Sequence, residues 1–249
     1  MKYFVVSDTH DHYLLMIEAL NKQGFDPECE DHKLIVCGDA FYSGPEPGKM
    51  FEYLKTLKEK DKLVFINGNH DRELLEAINN KFTQGRPGNR RCAEGVVEHI
   101  TGKTRLSNEE LASECNKIGF TSFLKSALRY FETEHYVFTH GFIPVKDKKY
   151  NPDWRNEGSK SKFDLTDGMM MSMKYGIQEP GKIIVFGHYS AARCYVMKNA
   201  TSENWEKGLY KVVNNVPQEG FLPFYGNTFI ALDQSVKKTG FINCLIIED

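Results

Sequence analysis

The chain has 249 residues, 41% of them hydrophobic, which is enough to bury a sizeable core and lies in the range of one large α/β domain with insertions. Lys plus Arg (32) nearly balances Asp plus Glu (34) without long runs of like charge, which argues against a nucleic-acid binder that works by neutralising a phosphate backbone. No apolar stretch approaches a membrane span, and the chain opens on a strand-like segment rather than a basic-then-apolar leader, so a soluble, cytoplasmic protein without a membrane partner is expected.

Residues 2–6 form an apolar run ending at Ser7-Asp8, the pattern of a buried parallel strand, and residues 13–22 read as a helix. The unit repeats. Lys33 to Cys37 precedes Gly38-Asp39, and Met50, Phe51, Leu54 and Leu57 then fall at helical spacing, entered through Pro45 and Pro47. Leu63 to Ile66 precedes Gly68-Asn69-His70-Asp71, with a helix from about Arg72 to Ile78. Strand alternating with helix predicts a parallel sheet whose ligands gather at the carboxyl ends of its strands. Residues 81–108 break the rhythm, with Gly85, Pro87, Gly88, Gly95 and Gly102 among scattered charges, and read as an inserted loop or cap within a single 1–249 domain.

Beyond it, Phe123, Leu124, Ala127, Leu128 and Phe131 share one face of an expected helix, and the strand His135 to Phe138 leads to His140. Residues 144–180 contain three prolines and predict irregular loops with one short helix near Leu165 to Tyr175. Ile183 to Phe186 leads to His188, and further strands are expected at 193–197, 228–232 and 241–247. No internal repeat is visible. The six cysteines form no C-x-x-C pair and read as reduced and structural.

Five motifs follow one another at the ends of apolar runs: Ser7-Asp8-Thr9-His10, Gly38-Asp39, Gly68-Asn69-His70-Asp71, Thr139-His140-Gly141 and Gly187-His188. They supply Asp8, His10, Asp39, Asn69, His140 and His188, an oxygen and imidazole set suited to two divalent transition metals. In this order they resemble the calcineurin-like phosphoesterase superfamily from Met1 to about Asp233, and within it most resemble the branch of serine/threonine protein phosphatases and bacterial diadenosine tetraphosphatases.

That resemblance implies an α/β sandwich, two mixed sheets packed face to face and flanked by helices. It implies that Asp39 bridges two metals, that Asp8 and His10 bind the first, and that Asn69, His140 and His188 complete the second. It further implies that a hydroxide bridging the metals attacks the phosphorus and that His70, not itself a ligand, protonates the leaving oxygen. Some members carry a second histidine two residues after the one in Gly-His; Ser190 stands there and points to the phosphatase-like branch.

One motif departs from the family. Where the phosphatases read Gly-Asp-x-x-Asp-Arg-Gly, this chain has Gly38-Asp39-Ala40-Phe41-Tyr42-Ser43-Gly44, losing the aspartate that orients the catalytic histidine and an arginine that grips phosphate. Arg155, with Arg72 as the other candidate, is expected to replace that arginine, while Arg86, Arg90 and Arg91 read as a solvated cluster. His12, His32, His99 and His135 lack partner motifs and read as surface or loop residues, and Asp233 as structural.

The expected activity is therefore metal-dependent hydrolysis of phosphomonoesters, on a phosphorylated protein or a small phosphoester, with manganese as the expected metal and iron or zinc as substitutes. Two alternatives stay open: a nucleotide hydrolase of the same fold, acting on a dinucleoside polyphosphate or cyclic nucleotide, and a binding protein that keeps the fold without turnover.

Overall fold

The computed structural model describes residues 1–156, 165–198 and 216–249. Two mixed sheets dominate. The first holds β1 (Lys2–Val6), β2 (His32–Cys37), β3 (Leu63–Ile66) and β11 (Leu245–Glu248) in the order β11-β1-β2-β3, with β1, β2 and β3 parallel and β11 antiparallel at the edge. The second holds β4 (Tyr130–Glu132), β5 (Tyr136–Thr139), β8 (Ile183–Phe186), β9 (Phe224–Tyr225) and β10 (Phe229–Ala231) in the order β4-β5-β8-β10-β9, its three central strands parallel. A small hairpin, β6 (Val145–Lys146) and β7 (Lys149–Tyr150), stands apart.

The period-2 pattern of the strands makes this a sandwich. Val5, Ile35, Cys37, Val64 and Ile66 from one sheet meet Phe138, Val185 and Ile230 from the other in one buried cluster. Their neighbours Phe4, Val6, Leu34, Val36 and Phe65 point the opposite way, into a core with α1 (Tyr13–Gln23) and α2 (Pro47–Glu59). Ile184, Phe186, Phe229 and Ala231 do the same on the second sheet, against α7 (Leu165–Tyr175) and α8 (Ala191–Lys198). The two mixed sheets flanked by helices expected from the motifs are thus present.

Several expected elements differ. Residues 81–108 are not irregular: they hold α4 (Pro87–Thr101), whose Cys92, Ala93, Val96 and Val97 are buried in the helical core. The sequence Phe123 to Phe131 is split between α6 (Phe120–Lys125) and β4, because Leu128 bridges Ile66 and the following residues pair with β5. Residues 193–197 lie in α8 rather than a strand, burying Ala191, Ala192, Cys194 and Met197. A further helix, α5 (Asn108–Lys117), opens with a capping box in which Ser107 and Glu110 satisfy each other's backbone N–H. All six cysteines are free thiols. No helix among the described residues is long and apolar enough to cross a membrane.

Candidate metal centre

Strand direction assembles the site. β1, β2, β3, β5 and β8 end at one edge of the sandwich, and the residues just beyond them are Asp8, Asp39, Asn69, His140 and His188. The loops are tied to one another: the N–H groups of Asp8 and His10 donate to the carbonyls of Gly38 and Asp39, and that of Gly187 donates to the carbonyl of His140. Two glycines make room. A Cβ on Gly38 would collide with the His140 imidazole, and one on Gly187 with the Asp8 carboxylate.

The side chains form two groups, Asp8–His10–Asp39 and Asp39–His140–His188, in each of which one ligand atom per residue lies within 4.8 Å of the others. Asp39 belongs to both. Asn69 joins the second through its Oδ1, 3.1 Å from His140 Nε2. That same Nε2 lies 3.1 Å from His188 Nδ1 and 3.4 Å from Asp39 Oδ2, while the opposite ring atom, Nδ1–H, donates to the Cys37 carbonyl at 2.9 Å. This bond aims Nε2 at the other donors, the arrangement expected of a metal-ligating imidazole.

Electrostatics give the centre a demand for positive charge. Burial opposes charge on His140, yet Asp39 and Asp8 outweigh it and raise its pKa to about 10. Burial likewise disfavours ionisation of Asp39, but His140, His10 and His70 more than compensate and hold its pKa well below the usual carboxylate range. Asp8 goes the other way, pushed up by burial and by the nearby Asp233 and Asp39 carboxylates. His10 and His188 are both lowered to about 4, mainly by burial, and so remain neutral and able to coordinate near pH 7. Neutral imidazoles converging on buried carboxylates are the donor chemistry of a divalent transition-metal site.

The backbone is strained at these positions. Asp8, His10, Asp39 and His188 have φ of 52°, 44°, 52° and 58°, a left-handed conformation that non-glycine residues adopt at a cost and that clusters at functional sites.

Residues 1–213 match the profile of the calcineurin-like phosphoesterase family. The chain belongs to this family. Its members hydrolyse phosphoester bonds and generally use divalent metals. No curated protein is matched by the sequence. Among solved structures, a cold-active protein-tyrosine phosphatase of a Shewanella species is similar over 100% of this chain and 75% of its own, with 17% identity and a TM-score of 0.54. A protein provisionally assigned as a diadenosine tetraphosphatase aligns over 100% of this chain and 94% of its own, with 13% identity and a TM-score of 0.47. A Saccharomyces cerevisiae protein serine/threonine phosphatase covers 76% of this chain and 61% of its own, with 16% identity and a TM-score of 0.45.

In this phosphoesterase His70 sits beside the shared carboxylate. Its backbone N–H donates to Asp39 Oδ1 at 2.8 Å, and its ring Nε2 is 4.0 Å from Asp39 Oδ2. Tyr42, in the position of the family's orienting aspartate, stacks on the His70 ring with centroids 3.8 Å apart. Ser43, in the position of the lost arginine, accepts a hydrogen bond from Lys237 at 3.0 Å, and the Lys237 ammonium also lies 4.9 Å from the centre of the Tyr42 ring.

The phosphoesterase does not bring the two expected arginines to the centre. Arg155 makes a two-pronged ion pair with Glu132, at 2.6 and 2.9 Å, reaches Glu179 at 2.7 Å and stacks on Trp154. Two carboxylates thus already hold its fork, and none of these partners belongs to the metal centre. Arg72 points along α3 (Asn69–Asn79) toward Glu76 at 3.8 Å and is partly exposed. Arg86 is the member of the loop cluster near the site, beside the Tyr42 hydroxyl and 3.3 Å from Glu73, whereas Arg90 binds Asn108, Leu106 and Glu94. His32, His99 and His135 lie away from the centre, bonded to the Asp26 N–H, to Glu52 and to Asp249 respectively. Asp233 is buried and caps the next turn by accepting the Ser235 N–H at 2.6 Å.

Sequence reasoning overlooked Asp11 and Asp71. Asp71 accepts the N–H groups of Asp39, Gly68 and Phe41 at 2.8, 3.0 and 3.1 Å, and so fixes the loop carrying the shared carboxylate. Asp11 does the same for Tyr42 and Gly44, at 2.9 and 3.1 Å. Burial pushes both carboxyls up to about 7. The available signal was an aspartate directly after each histidine motif, the residue type that holds tight loops through backbone N–H groups.

Proposed function

We propose that the chain is a binuclear phosphoesterase that hydrolyses phosphomonoesters in the manner of the serine/threonine phosphatases. The observation that carries this reading is the membership of Asp39 in both ligand groups, because a carboxylate with two oxygens is the natural bridge between two cations. Asp8 and His10 would hold one metal, and Asn69, His140 and His188 the other, with manganese as the proposed occupant. Bound there, the metals would supply an activated water and neutralise the phosphoryl oxygens.

The chain's own groups do the rest. His70 presents Nε2 next to the shared carboxylate and is placed to give a proton to the leaving oxygen. Lys237 and Arg86 stand at the Tyr42 side of the site, where they bring the positive charge that the altered Tyr42-Ser43 pair lacks. The Asp71 and Asp11 bonds hold the loops rigid, so little reorganisation is needed when charge develops on the phosphoryl group.

The test is a substrate panel on manganese-reconstituted protein: para-nitrophenyl phosphate, its bis-ester, a phosphoserine peptide and diadenosine tetraphosphate. The proposal expects the two monoesters to turn over fastest, with loss of activity on chelation. Preference for the bis-ester or the dinucleotide would transfer the site to a nucleotide hydrolase, and inertness toward all four would favour a binding protein.

A further inference from the structure

Tyr42 leaves His70 without the carboxylate that its family relatives place at that position, and the geometry points to a replacement. We propose that Glu73 is the positioning residue for the His70 imidazole, an inference that rests on the phosphoesterase reading above. His70 and Glu73 are one turn apart in α3, so their side chains share a face of the helix. Glu73 Oε2 lies 3.5 Å from His70 Nδ1. Among the described residues, both atoms are buried and without a hydrogen bond, and the only other charged group against Glu73 Oε2 is the Arg86 guanidinium. A buried ring nitrogen without a partner and a buried carboxylate oxygen whose other neighbour is the Arg86 guanidinium, facing each other just beyond bonding distance, satisfy one another by a small rotation of either side chain.

Three neighbours restrict what His70 can do otherwise. Tyr42 covers one face of the ring at 3.8 Å with the planes 13° apart, so tilting the imidazole out of its plane costs the stack. In that plane a bond from Nδ1–H to Glu73 decides where Nε2 points, and Nε2 is the atom beside Asp39. Asp71, the other nearby acid, has both oxygens engaged by three backbone N–H groups that hold it facing the loops rather than the imidazole. Arg86 holds Glu73 from the far side, its Nε 3.3 Å from the same Oε2, and keeps the carboxylate in place. The chain of contacts runs His70–Glu73–Arg86.

The test uses the full chain reconstituted with manganese and four variants: Glu73→Ala, Glu73→Gln, His70→Asn and the double variant Glu73→Ala/His70→Asn. With a phosphoserine peptide, whose leaving group needs a proton, Glu73→Ala should lower kcat about tenfold to a hundredfold with little change in KM. With 2,4-dinitrophenyl phosphate, which needs none, the loss should stay within about threefold. Glu73→Gln keeps an acceptor oxygen and should fall between wild type and Glu73→Ala. In the His70→Asn background, Glu73→Ala should cost nothing more. A second readout is independent of turnover: nitrogen NMR of the histidine rings in metal-free protein should show a proton on His70 Nδ1 in wild type and the loss of that Nδ1–H signal in Glu73→Ala. Equal losses on both substrates, an undiminished loss in the His70→Asn background, or unchanged His70 ring signals would overturn the assignment. Should the wild type turn over neither ester, the phosphoesterase reading fails, and the ring signals still decide whether Glu73 holds His70.

Discussion

The Tyr42 ring lies flat on the imidazole of His70, with planes 13° apart and centroids 3.8 Å apart. A stacked aromatic thus occupies the place where a hydrogen-bonding acid would stand in the family's phosphatases. Such a contact restrains the ring by its area rather than by a polar bond, with a strength of about 0.5–1.5 kcal/mol. Tyr42→Phe should therefore keep near wild-type kcat on a phosphoserine peptide, while Tyr42→Ala loses roughly twofold to tenfold. Equal kcat values for the two variants would remove the stack from the account.

His70 itself is predicted to act on the leaving group and not on the metals. His70→Asn should retain the wild-type metal content and lose about 10²–10⁴-fold in rate on alkyl phosphates. Elemental analysis of the purified variant separates the roles, since a drop in metal would make His70 a ligand.

Arg155 is predicted to matter for stability and not for phosphate. Its removal leaves Glu132 half-paired and takes a guanidinium from Glu179, which is buried against Trp154 and Tyr150. Arg155→Ala should destabilise the fold by about 1–3 kcal/mol, allowing for the part of the cluster open to solvent, and leave kcat/KM and phosphate inhibition unchanged. The pH dependence has a definite sign. Arg155, followed by Lys182, lowers the Glu132 pKa below its ordinary 4.5, so this pairing stabilises the protein above about pH 4.5 and is lost as pH falls through the lower folded value. Denaturant unfolding of wild type and Arg155→Ala should therefore differ most near pH 7 and converge in acid.

Gly187 is predicted to be needed for its missing side chain. A Cβ there would strike the Asp8 carboxylate and the Ser7 hydroxyl, so Gly187→Ala should displace Asp8 and weaken metal binding. Calorimetric titration with manganese reads this directly, and unchanged affinity would show that the loop gives way easily.

The legible part of this chain was local. Each ligand follows an apolar run by two to four residues, so strand ends and chemistry were readable together, and the unbroken apolar runs of β1, β2 and β3 announced a sheet buried on both faces. What was missed depends on contacts far apart in sequence. Gly88 and Gly95 looked like loop residues, but Gly95 lies in α4 where a Cβ would meet Pro47, and a Cβ on Gly48 of α2 would meet His99 of α4: glycine here permits two helices to approach. Residues 193–197 have the composition of a strand, yet the chain turns helical after the Ala191 N–H is taken by the Asp233 carbonyl. Arg155 stands between the late histidines, as a phosphate-binding arginine would, and nothing near it in sequence announces that Glu132 and Glu179 claim it.

The central claim is that Asp39 serves two metals at once, and metal stoichiometry tests it most directly. Chelated wild-type protein titrated with manganese should take up two ions per chain as phosphomonoesterase activity appears, while Asp39→Asn should bind both weakly and lose several orders of magnitude in rate. A single ion per chain in wild type, or two tightly bound ions and near wild-type turnover in Asp39→Asn, would contradict the account.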